Sequence, residues 1–104
     1  MSSLSTHVLD TALGRPAAGV PVELYQGDVR EASGTTDSDG RIVFAQAVDP
    51  GTYRLWFDVT KYAKSTGQDI FFPEVSVTFT VADERHYHVP LLLSPFAFST
   101  YRGS

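Results

Sequence analysis

Apolar residues recur at every second position through most of this chain, and that period limits the fold more than any other feature of the sequence. Val75, Val77, Phe79 and Val81 alternate with Ser76, Thr78 and Thr80. Val20, Val22 and Leu24 alternate with Pro21 and Glu23, and Tyr53, Leu55 and Phe57 with Arg54 and Trp56. Tyr87, Val89, Leu91 and Leu93 alternate with His86, His88, Pro90 and Leu92. Successive side chains of a strand point to opposite faces, so each run predicts a strand with one buried face. Turn formers separate the runs: Leu13-Gly14-Arg15-Pro16, Asp37-Ser38-Asp39-Gly40, Asp49-Pro50-Gly51 and Ser94-Pro95. Strands are expected near residues 4–10, 20–27, 29–37, 41–45, 52–58, 73–82, 85–93 and 96–102.

The segment from Asp58 to Gly67 breaks the period. Asp58 or Thr60 can cap a helix start and Gly67 can stop it, which predicts two helical turns near residues 59–66. The expected fold class is all-β, a sandwich of about eight strands in two sheets with one short helix. With 104 residues, one domain over residues 1–104 is expected. A chain this short buries only roughly two-thirds of its unfolded surface, so an oligomer would bury more.

A net charge of −4, with scattered lysines and arginines, argues against a nucleic-acid partner. Without cysteines the fold needs no disulfide, and thiol chemistry and cysteine metal sites are excluded. The start, Met1 to His7, has no basic and apolar leader pattern, and no apolar stretch approaches the ~20 residues of a membrane span. The ending Arg102-Gly103-Ser104 is not a peroxisomal Ser-Lys-Leu signal. A cytoplasmic location without membrane contact is expected.

Three histidines are the candidates for chemistry. A lone strand histidine is more often a hydrogen-bonded surface residue than a catalyst. His86 and His88, however, lie two apart and share a face. If Tyr87, Val89, Leu91 and Leu93 face the core, both imidazoles point outward, together with Pro90 and Leu92. An apolar outer face suggests an interface. The pair could also chelate zinc, but a zinc site needs three or four protein ligands, and His7 is the sole further histidine. No metal is expected. Arg41, directly after the Asp37-to-Gly40 turn, is either a solvated partner of Asp37 and Asp39 or a fork of donors for a planar anion or an oxyanion. The end, Tyr101-Arg102-Gly103-Ser104, is either a frayed tail or one held down by the aromatic residues before it.

Four stretches, in order, resemble the 5-hydroxyisourate hydrolases of the transthyretin family. Leu4-Ser5-Thr6-His7-Val8-Leu9-Asp10 is similar to their opening signature, and Thr36-Asp37-Ser38-Asp39-Gly40-Arg41 to their arginine-bearing turn. His86-Tyr87-His88-Val89-Pro90-Leu91-Leu92-Leu93-Ser94-Pro95 is similar to their second histidine strand. Tyr101-Arg102-Gly103-Ser104 resembles the terminal tetrapeptide that separates these enzymes from hormone carriers. The resemblance runs from Leu4 to Ser104. It departs at Pro95-Phe96-Ala97-Phe98, where relatives often carry Gly and Tyr.

The resemblance implies a prealbumin-like sandwich that hydrolyses 5-hydroxyisourate in urate breakdown, with no cofactor. It implies catalytic roles for His7, Arg41, His88 and Ser104. Tyr101, Arg102 and Gly103 would help to bind substrate, in a pocket at a subunit interface of a homotetramer, a dimer of dimers. Such a hydrolysis needs a base for water, a stabilised oxyanion and a proton for the leaving nitrogen. His7 is the first choice of base and His88 the second, with Arg41 at the oxyanion and His88 and Ser104 holding substrate or relaying protons. Two other readings share the strand pattern: a small-molecule carrier built like transthyretin, and a structural sandwich module of a surface protein.

Overall fold

The computed structural model describes residues 2–103, without the Gln46 side chain. Nine strands and one helix follow one another: β1 (Ser2–Asp10), β2 (Arg15–Pro16), β3 (Pro21–Gln26), β4 (Val29–Thr35), β5 (Arg41–Val48), β6 (Gly51–Asp58), α1 (Val59–Thr66), β7 (Glu74–Val81), β8 (Tyr87–Leu93) and β9 (Phe98–Thr100). They form two sheets, as the period-two runs predict. One sheet has the order β4-β3-β6-β7 and is antiparallel throughout. In the other, β1 lies between β8 on one side and β5 and β2 on the other, and β9 extends it beyond β8. β1 and β8 run parallel, though more than seventy residues separate them in the chain.

The core lies between the sheets. Leu4, Val8, Leu91 and Leu93 face Val22, Leu24, Leu55 and Phe57, all at most 1% exposed. Burying each of these side chains stabilises the fold by roughly 1.5–3 kcal/mol. Their alternates on β1 and β8 are Ser3, Ser5, His7 and Leu9, and His88, Pro90 and Leu92; these lie on the opposite, outer face. The outer face is less apolar than expected, because Pro90 is buried within the chain and Leu92 is half-buried. Pro90 sits in register with His7, and its carbonyl accepts a hydrogen bond from Thr100 Oγ1 at 2.7 Å.

α1 has the predicted bounds. Asp58 caps it, accepting from the Lys61 amide at 3.2 Å, and Gly67 ends it in the left-handed conformation at φ 66°. β9 covers less of the chain than expected, since Ser94 N and Oγ bond the Ala97 carbonyl and make residues 94–97 a turn. β2 was not expected; two residues are too few to show a period. Among the described residues no helix is long and apolar enough to cross a membrane.

Candidate active site

The site is built on the outer face where β1 passes between β5 and β8. His7 pairs directly with Arg41 across the β1–β5 ladder. On its other side β1 places Ser5 opposite His88 in the parallel ladder with β8. Paired residues share a face, so these registers bring His7, Arg41, Ser5 and His88 together. The His7 and His88 rings lie 6.5 Å apart at 39°. His7 Nε2 is buried and has no hydrogen-bond partner among the described residues. An unpaired buried ring nitrogen is uncommon in folded proteins.

The Arg41 backbone is fixed by its turn. Asp37 Oδ1 accepts from the Asp39 amide at 2.9 Å and the Arg41 amide at 3.0 Å, and the Asp37 amide donates to the Arg41 carbonyl at 3.1 Å. The Arg41 amide is the main cause of an Asp37 carboxyl held below the usual carboxylate range; desolvation opposes it, and the Asp39 amide and the charges of Arg41 and His7 add to it. Gly40 completes the turn at φ 74°. A Cβ there would stand 2.4 Å from the Val8 carbonyl oxygen, so only glycine lets the turn dock beside His7. The Gly40 carbonyl accepts from the Val8 amide at 2.7 Å.

His88 is held from two sides. Ser5 Oγ lies 2.8 Å from its Nδ1. Gly103 bridges back to it, the Gly103 amide donating to the His88 carbonyl at 2.8 Å. Burial pushes the His88 imidazole below its ordinary pKa, and His7, His86 and Arg41 push the same way, so it is neutral near pH 7. His86 stacks on His88 at 6.5 Å and 20° and turns its own Nε2 to Ser5 Oγ at 2.8 Å. Each of these imidazoles thus points a nitrogen at Ser5. Among the described residues no three His, Cys, Asp or Glu side chains are grouped to hold a metal ion.

A hollow of about 250 Å³ opens here, lined by Ser5, Arg41, Val43, His86 and His88 among others. His88 also borders a second hollow, of about 320 Å³, with Tyr101, Arg102, Val77 and Phe79. The Arg102 guanidinium carbon sits 4.6 Å from the centre of the Tyr87 ring. The structure therefore gathers His7, Arg41, His88 and Gly103, and sets Tyr101 and Arg102 around the hollow on the other side of His88. Ser104 lies outside the described residues. A larger hollow, of about 510 Å³ between β4 and β5, has no titratable residue in its lining and offers no comparable chemistry. Ser5 is the member that motif reasoning passed over. Its only signal is its place two residues before His7, which puts it on the same face of β1.

Fold and site together define a two-sheet sandwich that carries a histidine–arginine cleft on the outer face of one sheet. The chain belongs to the HIUase/Transthyretin family, whose model matches residues 4–103. It is 47% identical to "5-hydroxyisourate hydrolase 2" of Rhizobium meliloti, over 97% of this chain and 95% of that one. The Klebsiella pneumoniae 5-hydroxyisourate hydrolase structure superposes with a TM-score of 0.93 at 36% identity, covering all of both chains. Sea bream transthyretin, solved in complex with thyroxine, superposes with a TM-score of 0.88 at 33% identity, covering 96% of this chain and 93% of that one.

Proposed function

We propose that this protein hydrolyses 5-hydroxyisourate to 2-oxo-4-hydroxy-4-carboxy-5-ureidoimidazoline in urate catabolism, without a cofactor. The observation that carries the reading is the unpartnered, buried Nε2 of His7 beside Arg41 and 6.5 Å from the His88 ring. In this reading His7 takes a proton from water, and the hydroxide adds to C6 of the substrate. The Arg41 guanidinium, planar and permanently charged, holds the ring and stabilises the tetrahedral oxyanion. His88 supplies the proton that lets N1 leave. Gly103 keeps the tail against His88, Tyr101 and Arg102 help to shape the substrate pocket, and Ser104 holds the substrate or relays a proton. Residues 1–104 act as one hydrolase domain, four copies assemble as a dimer of dimers, and the cytoplasm is the proposed compartment.

The test is spectrophotometric. 5-Hydroxyisourate made in place from urate by urate oxidase is followed by its ultraviolet absorbance, with and without the protein. Decay well above the spontaneous rate is expected. His7→Ala is expected to lower turnover by roughly 10²–10⁴-fold, the usual contribution of a general base. Arg41→Lys and His88→Ala are also expected to lower it strongly. Decay no faster than the blank would move the carrier reading to the front, and thyroxine binding without hydrolysis would support it.

A further inference from the structure

Four side chains run in an unbroken line from the surface to the site. Ser3 Oγ lies 2.5 Å from His86 Nδ1, His86 Nε2 lies 2.8 Å from Ser5 Oγ, and Ser5 Oγ lies 2.8 Å from His88 Nδ1. Ser3 and His86 are exposed, whereas Ser5 is only 7% exposed and His88 is half-buried. We propose that Ser5 and His86 are positioning residues that join His88 to solvent as a proton relay. The proposal deepens the hydrolase reading and rests on it for its kinetic part.

A serine hydroxyl has a single proton and two lone pairs. Ser5 meets a ring nitrogen on each side, so it donates to one and accepts from the other. Two arrangements satisfy every contact. In the first, His86 Nε2–H donates to Ser5, Ser5 donates to His88 Nδ1, and Ser3 donates to His86 Nδ1. His88 then carries its proton on Nε2, free for the substrate. In the second, every proton has moved one step inward: His88 holds Nδ1–H, His86 holds Nδ1–H, and His88 Nε2 is a bare acceptor. Both neutral arrangements place the protons of His86 and His88 on the same type of nitrogen.

That coupling answers a difficulty in the chemistry. Burial and neighbouring positive charge keep His88 neutral. A neutral imidazole that gives up its only proton becomes an imidazolate, which is strongly disfavoured. With the relay, His88 Nε2–H passes to the leaving N1 as Ser5 O–H passes to His88 Nδ1, His86 Nε2–H to Ser5, Ser3 O–H to His86 Nδ1, and a solvent proton to Ser3. No imidazolate forms. The C6–N1 bond breaks, and C6 has gained the hydroxyl of the attacking water. The water's other proton, held by His7, then passes to His88 Nε2 as the relay shifts back and Ser3 gives one proton to solvent, and the new carboxylic acid ionises. Two protons leave and one enters, so each turnover releases one proton, as ionisation of the product requires.

Two measurements on the whole protein test this. Proton–nitrogen correlation NMR with isotopically labelled histidine is expected to show His86 and His88 in the same tautomer in the unmodified protein. A mixed pair, one Nδ1–H and one Nε2–H, would overturn the relay whatever the enzyme does. In the urate-oxidase-coupled assay, Ser5→Ala is expected to lower kcat by roughly ten-fold to a hundred-fold with KM little changed, and Ser5→Thr to restore most of it. His86→Ala should lose a similar factor and regain rate with added imidazole. The double variant Ser5→Ala/His86→Ala should be no slower than the worse single one, because both break one chain. An unchanged kcat in Ser5→Ala, or fully additive losses, would overturn the relay. A matched tautomer pair in a protein that shows no hydrolysis would instead count against the hydrolase reading and leave the coupled network standing.

Discussion

Single atoms decide the site more than whole elements do. A Cβ built on Gly103 would lie 2.5 Å from His88 Cδ2, too close to be accommodated without a shift, and a tight 3.1 Å from Cγ. Gly103 is therefore the residue that lets the tail press on the imidazole while its amide bonds the His88 carbonyl. Gly103→Ala is expected to tilt the ring away from Ser5 and lower kcat by roughly ten-fold or more, with a small effect on thermal stability. A crystal structure of the variant with an unmoved His88, together with unchanged kcat, would refute this. Much of the site was legible from residue positions. Strand parity places His86 and His88 on the outer face, the resemblance of the opening stretch singles out His7, and the Asp37-to-Gly40 turn marks Arg41. The pairing of His7 with Arg41 and of Ser5 with His88 was not legible, because register between distant strands has no local signature.

At the scale of elements, α1 is tied to the sheet that carries the site by one buried carboxylate. Asp10, at the end of β1, accepts from the Tyr62 hydroxyl at 2.6 Å, Gln68 Nε2 at 2.9 Å, and the Ala12 and Leu13 amides at 3.0 and 2.9 Å. Burial alone would raise the Asp10 carboxyl, but the Tyr62 hydroxyl and then the other donors outweigh it and hold it below the usual value. A carboxyl depressed on folding adds stability above its unfolded pKa, near 3.8, and that contribution is lost as the pH falls through the lower folded value. Asp10→Ala leaves a buried tyrosine hydroxyl and two amides unpaired, at a cost of about 1–3 kcal/mol near neutral pH. Denaturant titrations at neutral pH and in acid are expected to show the gap between parent and variant narrowing in acid; a constant gap would show that the carboxylate's charge contributes nothing. The helix itself was readable, since Asp58 and Gly67 bracket it in the sequence. Its tether was not, since nothing local links Asp10 to Tyr62.

On one side of the molecule both sheets end in strands that lie close to exposed aromatic residues. Among the described residues β7 pairs only with β6, and β9 only with β8, so each sheet has an unpaired edge there. The two edges are neighbours, as the Phe72 and Phe98 rings meet edge to face at 5.0 Å. Exposed aromatic residues gather nearby: Phe71 is 73% exposed and Phe96 79%, and the Phe71 amide donates to the Pro95 carbonyl at 2.8 Å. Open strand edges beside apolar surface are where copies of a chain pair, and monomers rarely leave such patches uncovered. The period-two pattern puts the expected apolar face at Pro90 and Leu92, but folding covers Pro90 and leaves Phe71, Phe96 and Phe98 exposed instead. A proposed dimer of dimers can use this side, and light scattering is expected to give a mass four times the 11.4 kDa chain. Phe96 makes little contact within its own chain, so Phe96→Asp is expected to lower the assembled mass while circular dichroism keeps its β signature. Because the proposed pocket is shared between subunits, activity should fall together with assembly. A Phe96→Asp protein that stays tetrameric would move the interface elsewhere, and a fully active monomer would show that one chain completes the site alone.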